Sequence, residues 1–192
     1  SIVAVPKQRN SRDENKSIKN GDVPEDWNAP KKRQKDTNAR WVKKNGVNHF
    51  GYKNHIDIDV KHKLIRNYEV TDAATHDSNV FEELLDENNS SKDVWADSAY
   101  GSADKREALE TSGFRGHIQR KGCRYKKLTQ RQIEANHERS KTRSRVEHVF
   151  GIQTMRAGNL IIRSIGMARA KAKIGLRNLA YNIDRYCLLS QA

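Results

Sequence analysis

The stretch Asp93-Val94-Trp95-Ala96-Asp97-Ser98-Ala99-Tyr100-Gly101 decides the fold class. Asp93 to Ala96 is a short apolar run of strand character that stops at an aspartate. Ser102 to Thr111 reads as a helix ended near Gly113, and Phe114 to Gln119 as a further strand. Strand, helix, strand in that order is the unit of a mixed α/β layer. Open α/β sheets place ligand sites at the carboxyl ends of their strands, so a carboxylate at Asp97 faces a crevice. An aspartate there also suits a turn that caps the next helix, and position alone leaves both readings open.

Upstream, residues 49–60 alternate apolar and polar side chains and predict a strand, with His62-Lys63 as the turn and Leu64 to Thr71 as its hairpin partner. Asp77 or Ser78 can cap a short helix from Asn79 to Asp86 that buries Val80, Phe81, Leu84 and Leu85. Ile2 to Val5 reads as the end of a buried strand. Residues 6–48 are polar, hold all three prolines and show no sustained apolar period, so they read as a long basic loop or insertion. Downstream, Thr129-Gln130-Arg131-Gln132 predicts a capping box opening a helix through Glu147 and Phe150, with Val146, Val149 and Phe150 as its apolar stripe. Residues 160–192 form a helical C-terminal part. From about Met167 its helix aligns Ala172, Leu176, Leu179, Ile183 and Cys187 on one face, a spacing that predicts core packing.

The net charge of +13 on 192 residues points to a polyanionic partner, and phosphate backbones are the commonest. The charge is uneven. Residues 1–45 hold 12 Lys/Arg against 6 Asp/Glu, residues 56–110 hold 6 against 14, and residues 115–145 hold 11 against 2. An acidic island between basic flanks holds carboxylates near a polyanion, an arrangement that divalent cations mediate, since Mg²⁺ takes carboxylate and phosphate oxygens together. No apolar run approaches the roughly 20 residues of a membrane-spanning helix, and no signal peptide appears, so a cytoplasmic protein without membrane association is expected. Cys123 and Cys187 match no metal or redox spacing and read as reduced thiols. The seven histidines form no zinc pattern, and no Gly-rich phosphate loop or Gly-x-Ser-x-Gly elbow is present.

A second carboxylate, Glu147, lies in Arg143-Ser-Arg-Val-Glu-His-Val-Phe-Gly151, at the border of the apolar stripe. It is either turned toward the domain or held in an i,i+4 ion pair with Arg143. Lys31-Lys32-Arg33-Gln34-Lys35 is either a solvated charge run or a phosphate-contacting segment.

Taken in order, these motifs resemble the DDE transposases of the insertion-sequence-five group, within the larger insertion-sequence-four superfamily. Ser1 to Asn10 resembles the segment after the family's first catalytic aspartate, which the resemblance places two residues ahead of Ser1. Lys35-Asp-Thr-Asn-Ala-Arg-Trp41, Phe50-Gly-Tyr-Lys-Asn-His55 and Val70-Thr-Asp-Ala-Ala-Thr-His-Asp77 resemble the next blocks. Ala96-Asp-Ser-Ala-Tyr100 matches the second aspartate, and Arg143-x-x-x-Glu147 the arginine and glutamate of the third signature. That signature also carries a tyrosine and a lysine where this chain has Ser140 and Thr154, with Arg139 or Arg156 as the available charge. Arg163-Ser-Ile-Gly166 and Asn178-Leu-Ala-Tyr-Asn182 resemble the family's C-terminal helix.

The resemblance implies one ribonuclease H-like catalytic domain over residues 1–192, a mixed sheet flanked by helices and cut at its N-terminus. It implies Asp97 and Glu147 as catalytic metal ligands for Mg²⁺, with Mn²⁺ able to replace it, in phosphodiester hydrolysis and strand transfer. Duplex DNA, at element ends and target, is the implied partner. Lys31, Lys32, Arg33, Lys53, Arg139 and Arg143 are the candidate contacts. A nucleoid-associated bacterial protein that is a homodimer at full length is implied as well. Without the first aspartate the chain is expected to be inactive alone, as a truncated copy or the product of a split frame whose upstream partner supplies that residue. A basic DNA-binding remnant and another ribonuclease H-like nuclease are the alternatives.

Overall fold

A computed structural model describes residues 1–157 and 160–191. Its elements are β1 (Ile2–Ala4), α1 (Arg12–Lys19), α2 (Ala29–Gln34), β2 (Arg40–Lys44), β3 (Val47–Ile58), β4 (Ile65–Asp72), β5 (Asp93–Ala96), α3 (Ala103–Thr111), β6 (Arg115–Ile118), α4 (Gln130–Ala157) and α5 (Met167–Ser190). The chain is mixed α/β. It divides into two compact units, the first made of residues 1–55, 68–75 and 152–192 and the second of 56–67 and 76–151.

The first unit is built on an antiparallel arrangement around β3. β1 pairs with it so that Val3 lies opposite Tyr52, and β2 pairs with it from Arg40–Gly51 to Lys44–Val47. β4 also pairs with β3. The free side of β1 is closed by the chain at 160–162, where Ala4 donates to Leu160 and accepts from Ile162. Val3, Val5, Phe50, Tyr52, Val70, Ile162 and Ile174 make the core. At that degree of burial each aliphatic contributes about 1.5–3 kcal/mol.

Residues 6–48, expected to be loop, instead contain two short helices and a strand. Local signals make them. Ser11 accepts from the Glu14 amide at 3.1 Å while the Glu14 carboxylate accepts from the Ser11 amide at 2.7 Å, a complete capping box for α1. Asn28 caps α2 by accepting from Lys31 N at 2.9 Å. Asn45 and Gly46, both at positive φ (51° and 79°), close the β2–β3 hairpin, as an Asn-Gly pair at a two-residue turn does.

The face of α5 also departs from expectation. Ala170, Ile174, Asn178 and Tyr181 are buried, whereas Ala172, Leu176, Leu179, Ile183 and Cys187 are exposed. Two stripes compete on this helix. The one holding Asn178 wins because its side chain receives hydrogen bonds from Asn54 (2.9 Å) and Gln153 (3.0 Å), so a buried amide has its partners. Ala170, at 0% exposure, has no bulk to hold the helix away. Both cysteines are free and exposed. Ala192, the end of the expected helical part, lies outside the described residues.

In the second unit β5 and β6 pair in parallel, Asp93 with Arg115 through Ala96 with Ile118, and α3 is the crossover that parallel pairing requires. Phe81, Ala96, Leu109, Phe114 and Ile118 form its core. The strand and helix expected here are present. The helix expected from Asn79 to Asp86 is two 3₁₀ turns, Asp77–Val80 and Glu82–Leu84, although Val80, Phe81 and Leu84 are buried as expected. A segment this short makes too few i→i−4 bonds to offset helix nucleation. α4 opens on the expected box, with Thr129 N donating to Gln132 Oε1 at 3.0 Å. Among the described residues no helix is long and apolar enough to cross a membrane.

Candidate active site

β5 is short because Asp97 ends it. The Asp97 backbone stays extended (ψ 177°), and its Oδ1 accepts from Ala99 N at 2.8 Å, capping the turn Ser98–Tyr100. The carboxylate is half-buried at the carboxyl end of the strand. The turn is anchored by Tyr100, whose ring packs on Phe81 with centroids 4.7 Å apart. Burial, and then the carboxylates of Asp77 and Asp97, push the Tyr100 phenol well above its ordinary range. The Asp77 turn packs beside the Asp97 turn. Asp77 thus belongs to the acidic neighbourhood of Asp97, a placement that sequence spacing did not signal.

Glu147 sits on α4, in the same unit, with its side chain exposed. Arg143 Nη2 donates to its Oε1 at 2.7 Å. The Arg143 Nε is buried and lacks a hydrogen-bond partner. Both local readings therefore hold: Asp97 caps a turn and Glu147 is in an i,i+4 pair. Among the described residues no hydrogen bond or ion pair joins Asp97 to Glu147. None of their groupings of three or more His, Cys, Asp or Glu side chains could hold a metal ion. Carboxylate oxygens are donors of the kind that a hard divalent cation takes.

Arg143 also lines a cavity of about 700 Å³, together with Asp57, Asp59, Arg66, Asp86 and Asp93. Sequence reading passed over Asp57 because alternation makes it one more strand residue. Burial first, with Asp86 and Asp59 adding repulsion, pushes its carboxyl up to about 6.

The expected DNA contacts differ in availability. Lys31 bonds to Glu14 at 2.6 Å and lies over the Trp27 ring at 5.1 Å. That lysine, the Ser11 amide and the Trp27 indole hold the Glu14 carboxyl down to about 2. Lys32 and Arg33 are exposed on the last turn of α2. Lys53 donates to Thr75 O at 2.6 Å. Arg139 is half-buried on α4.

Residues 24–183 match the family described as the transposase DDE domain. The chain is 32% identical over 149 residues to the transposase for insertion sequence element IS1106 of Neisseria meningitidis serogroup B, an alignment covering 78% of this chain and 51% of that protein. The chain thus spans about half the length of that curated relative. No solved structure matches. With the match running through β5, the Asp97 turn and α4, the chain belongs to the transposase DDE domain family.

Proposed function

We propose that this chain is the catalytic part of an insertion-sequence transposase of the insertion-sequence-five group, ribonuclease H-like in architecture, that cleaves and joins DNA at element ends. The observation that carries the reading is the placement of Asp97. It stands at the carboxyl end of β5 in a parallel β5–α3–β6 unit, inside the family-matched region and within Ala96-Asp-Ser-Ala-Tyr100.

In this reading Asp97 and Glu147 are ligands of Mg²⁺ or Mn²⁺, which when bound supplies charge neutralisation at the scissile phosphate and an activated oxygen nucleophile. The Ala99 amide fixes the Asp97 rotamer through Oδ1. Arg143, one turn before Glu147, orients that carboxylate. Lys32 and Arg33 supply exposed charge for the DNA backbone. The dimer and the nucleoid association of a full-length protein belong to the same proposal.

The test uses a chain extended upstream by the family's Asp-Ala pair ahead of Ser1, with DNA carrying the element end and either metal. Nicking or strand joining is expected. Asp97→Asn and Glu147→Gln should each abolish it while leaving DNA binding nearly intact, since each removes charge and keeps shape. Strand transfer that survives both substitutions overturns the assignment.

A further inference from the structure

Three arginines from separate stretches of the chain converge in the second unit. Arg106 on α3, Arg120 just past β6 and Arg139 on α4 line a cavity of about 180 Å³, whose wall also includes Gly116 and Ile118 of β6. We infer that this notch is a built binding site for one phosphate of a DNA strand, next to the Asp97 turn. The inference rests on the transposase reading and deepens it.

The first support is that the placement is enforced. Asn136 accepts from the Arg120 backbone N–H at 2.9 Å and donates to the Arg120 carbonyl at 2.8 Å. Gln119 donates to Ser140 one turn later. α4 is therefore stitched to the exit of β6 on both sides of Arg139, so Arg139 and Arg120 share one notch by backbone geometry. The second support is an unmet hydrogen-bonding demand. Arg139 Nη1 is buried with no partner, a costly state for a guanidinium nitrogen. A small turn of the guanidinium toward a phosphate oxygen in the notch would satisfy it, and the planar fork of arginine matches phosphate in a bidentate way that lysine cannot.

Glu110 is the one carboxylate lining the notch, so three cations against one anion leave a net charge of +2. Among the described residues no ion pair joins Glu110 to these arginines. The third support is continuity. Arg106 and Arg120 also line an adjoining groove of about 400 Å³ with Lys121, Lys126 and Lys127, and that groove reaches Ser98, the residue after Asp97. A strand laid along the groove places one phosphate in the notch and a neighbouring one by the Asp97 turn. A free phosphate ion carries the same chemistry, and the test separates the two sources.

The experiment measures duplex-DNA affinity of the whole 192-residue chain against salt, together with side-chain Nε–H NMR signals of the arginines titrated with inorganic phosphate or with DNA. Arg139→Gln and Arg120→Gln should each weaken binding severalfold at low salt and reduce the log–log salt slope by about one. Arg12→Gln, on exposed α1, should leave the slope nearly unchanged, and Glu110→Gln should tighten binding. Arg120 is exposed and held only through its backbone, so its substitution reports even if Arg139→Gln perturbs the fold. DNA and phosphate should both shift the Arg120 and Arg139 signals. Phosphate-induced shifts with unchanged DNA slopes overturn the strand assignment in favour of a free anion. Normal DNA binding with no arginine shift and no slope change removes the notch and leaves the transposase reading standing. Arginine shifts with phosphate in a chain that does not bind DNA remove that reading and leave only an anion site.

Discussion

The Tyr52 hydroxyl lies 2.7 and 2.8 Å from the two oxygens of the Asp36 carboxylate, deep in the first unit. The same carboxylate accepts from Asn38 N and Ala39 N, both at 3.0 Å, and from Gly166 N at 3.1 Å. One buried anion thus ties β3, the turn entering β2 and the start of α5. Burial, and then Asp36 itself, push the Tyr52 phenol far above its ordinary range, so Tyr52 remains a hydrogen-bond donor throughout the accessible pH range.

Replacing Tyr52 by Phe removes one donor from that charged group and leaves the ring packing. A loss of about 1.5–3 kcal/mol is expected, read as a lower urea midpoint with unchanged slope. An unchanged midpoint would show that the backbone amides alone satisfy Asp36.

Asp57 sets a pH dependence of the opposite sign to that of a paired carboxylate. Its folded value is about 6 and its ordinary value 3.8, so between these the folded chain holds a proton that the unfolded chain has lost. Stability therefore falls as pH rises through this window, by on the order of 2–3 kcal/mol for two units. Asp57→Asn should raise the melting temperature at pH 7.5 and change it little at pH 4. Equal shifts at both values would contradict the desolvation account.

Gly51 faces the β1 backbone so closely that a Cβ there would lie 2.2 Å from Val3 O. Neither strand can yield, since Tyr52 and Val3 are both core residues. Gly51→Ala should cost about 1–3 kcal/mol or more, measurable by thermal unfolding. Gly46→Ala adds no clash and acts only through φ, so it should cost less.

Asp97 carries a capping role and a proposed chemical one, and two substitutions part them. Asp97→Asn retains an acceptor for Ala99 N and should leave stability nearly unchanged, whereas Asp97→Ala should lose about 0.5–2 kcal/mol. Both should be inactive in the extended chain. Activity in the Asn variant that tracks its stability would reduce Asp97 to a cap.

Local chemistry determined much of this protein. The strand ending at Asp97, the helix after it, the return strand at 115–118 and the box at Thr129–Gln132 depend on periodicity and caps within a few residues of each other, so they are readable in order along the chain. The Ser11 box and the Asn45-Gly46 turn were equally local, but the polar texture of 6–48 concealed them. Tertiary structure alone decided which stripe of α5 is buried, because hydrophobicity favoured Leu176, Leu179 and Ile183 while the partners of Asn178 lie at Asn54 and Gln153. The arginine notch and the Asp36 hub are likewise invisible along the chain. Arg106, Arg120 and Arg139 meet only through parallel pairing and the Asn136 clamp, and Asp36 meets Tyr52 and Gly166 only when β3 and α5 are in place. Buried charge needs partners at a distance in sequence, and periodicity carries no information about them.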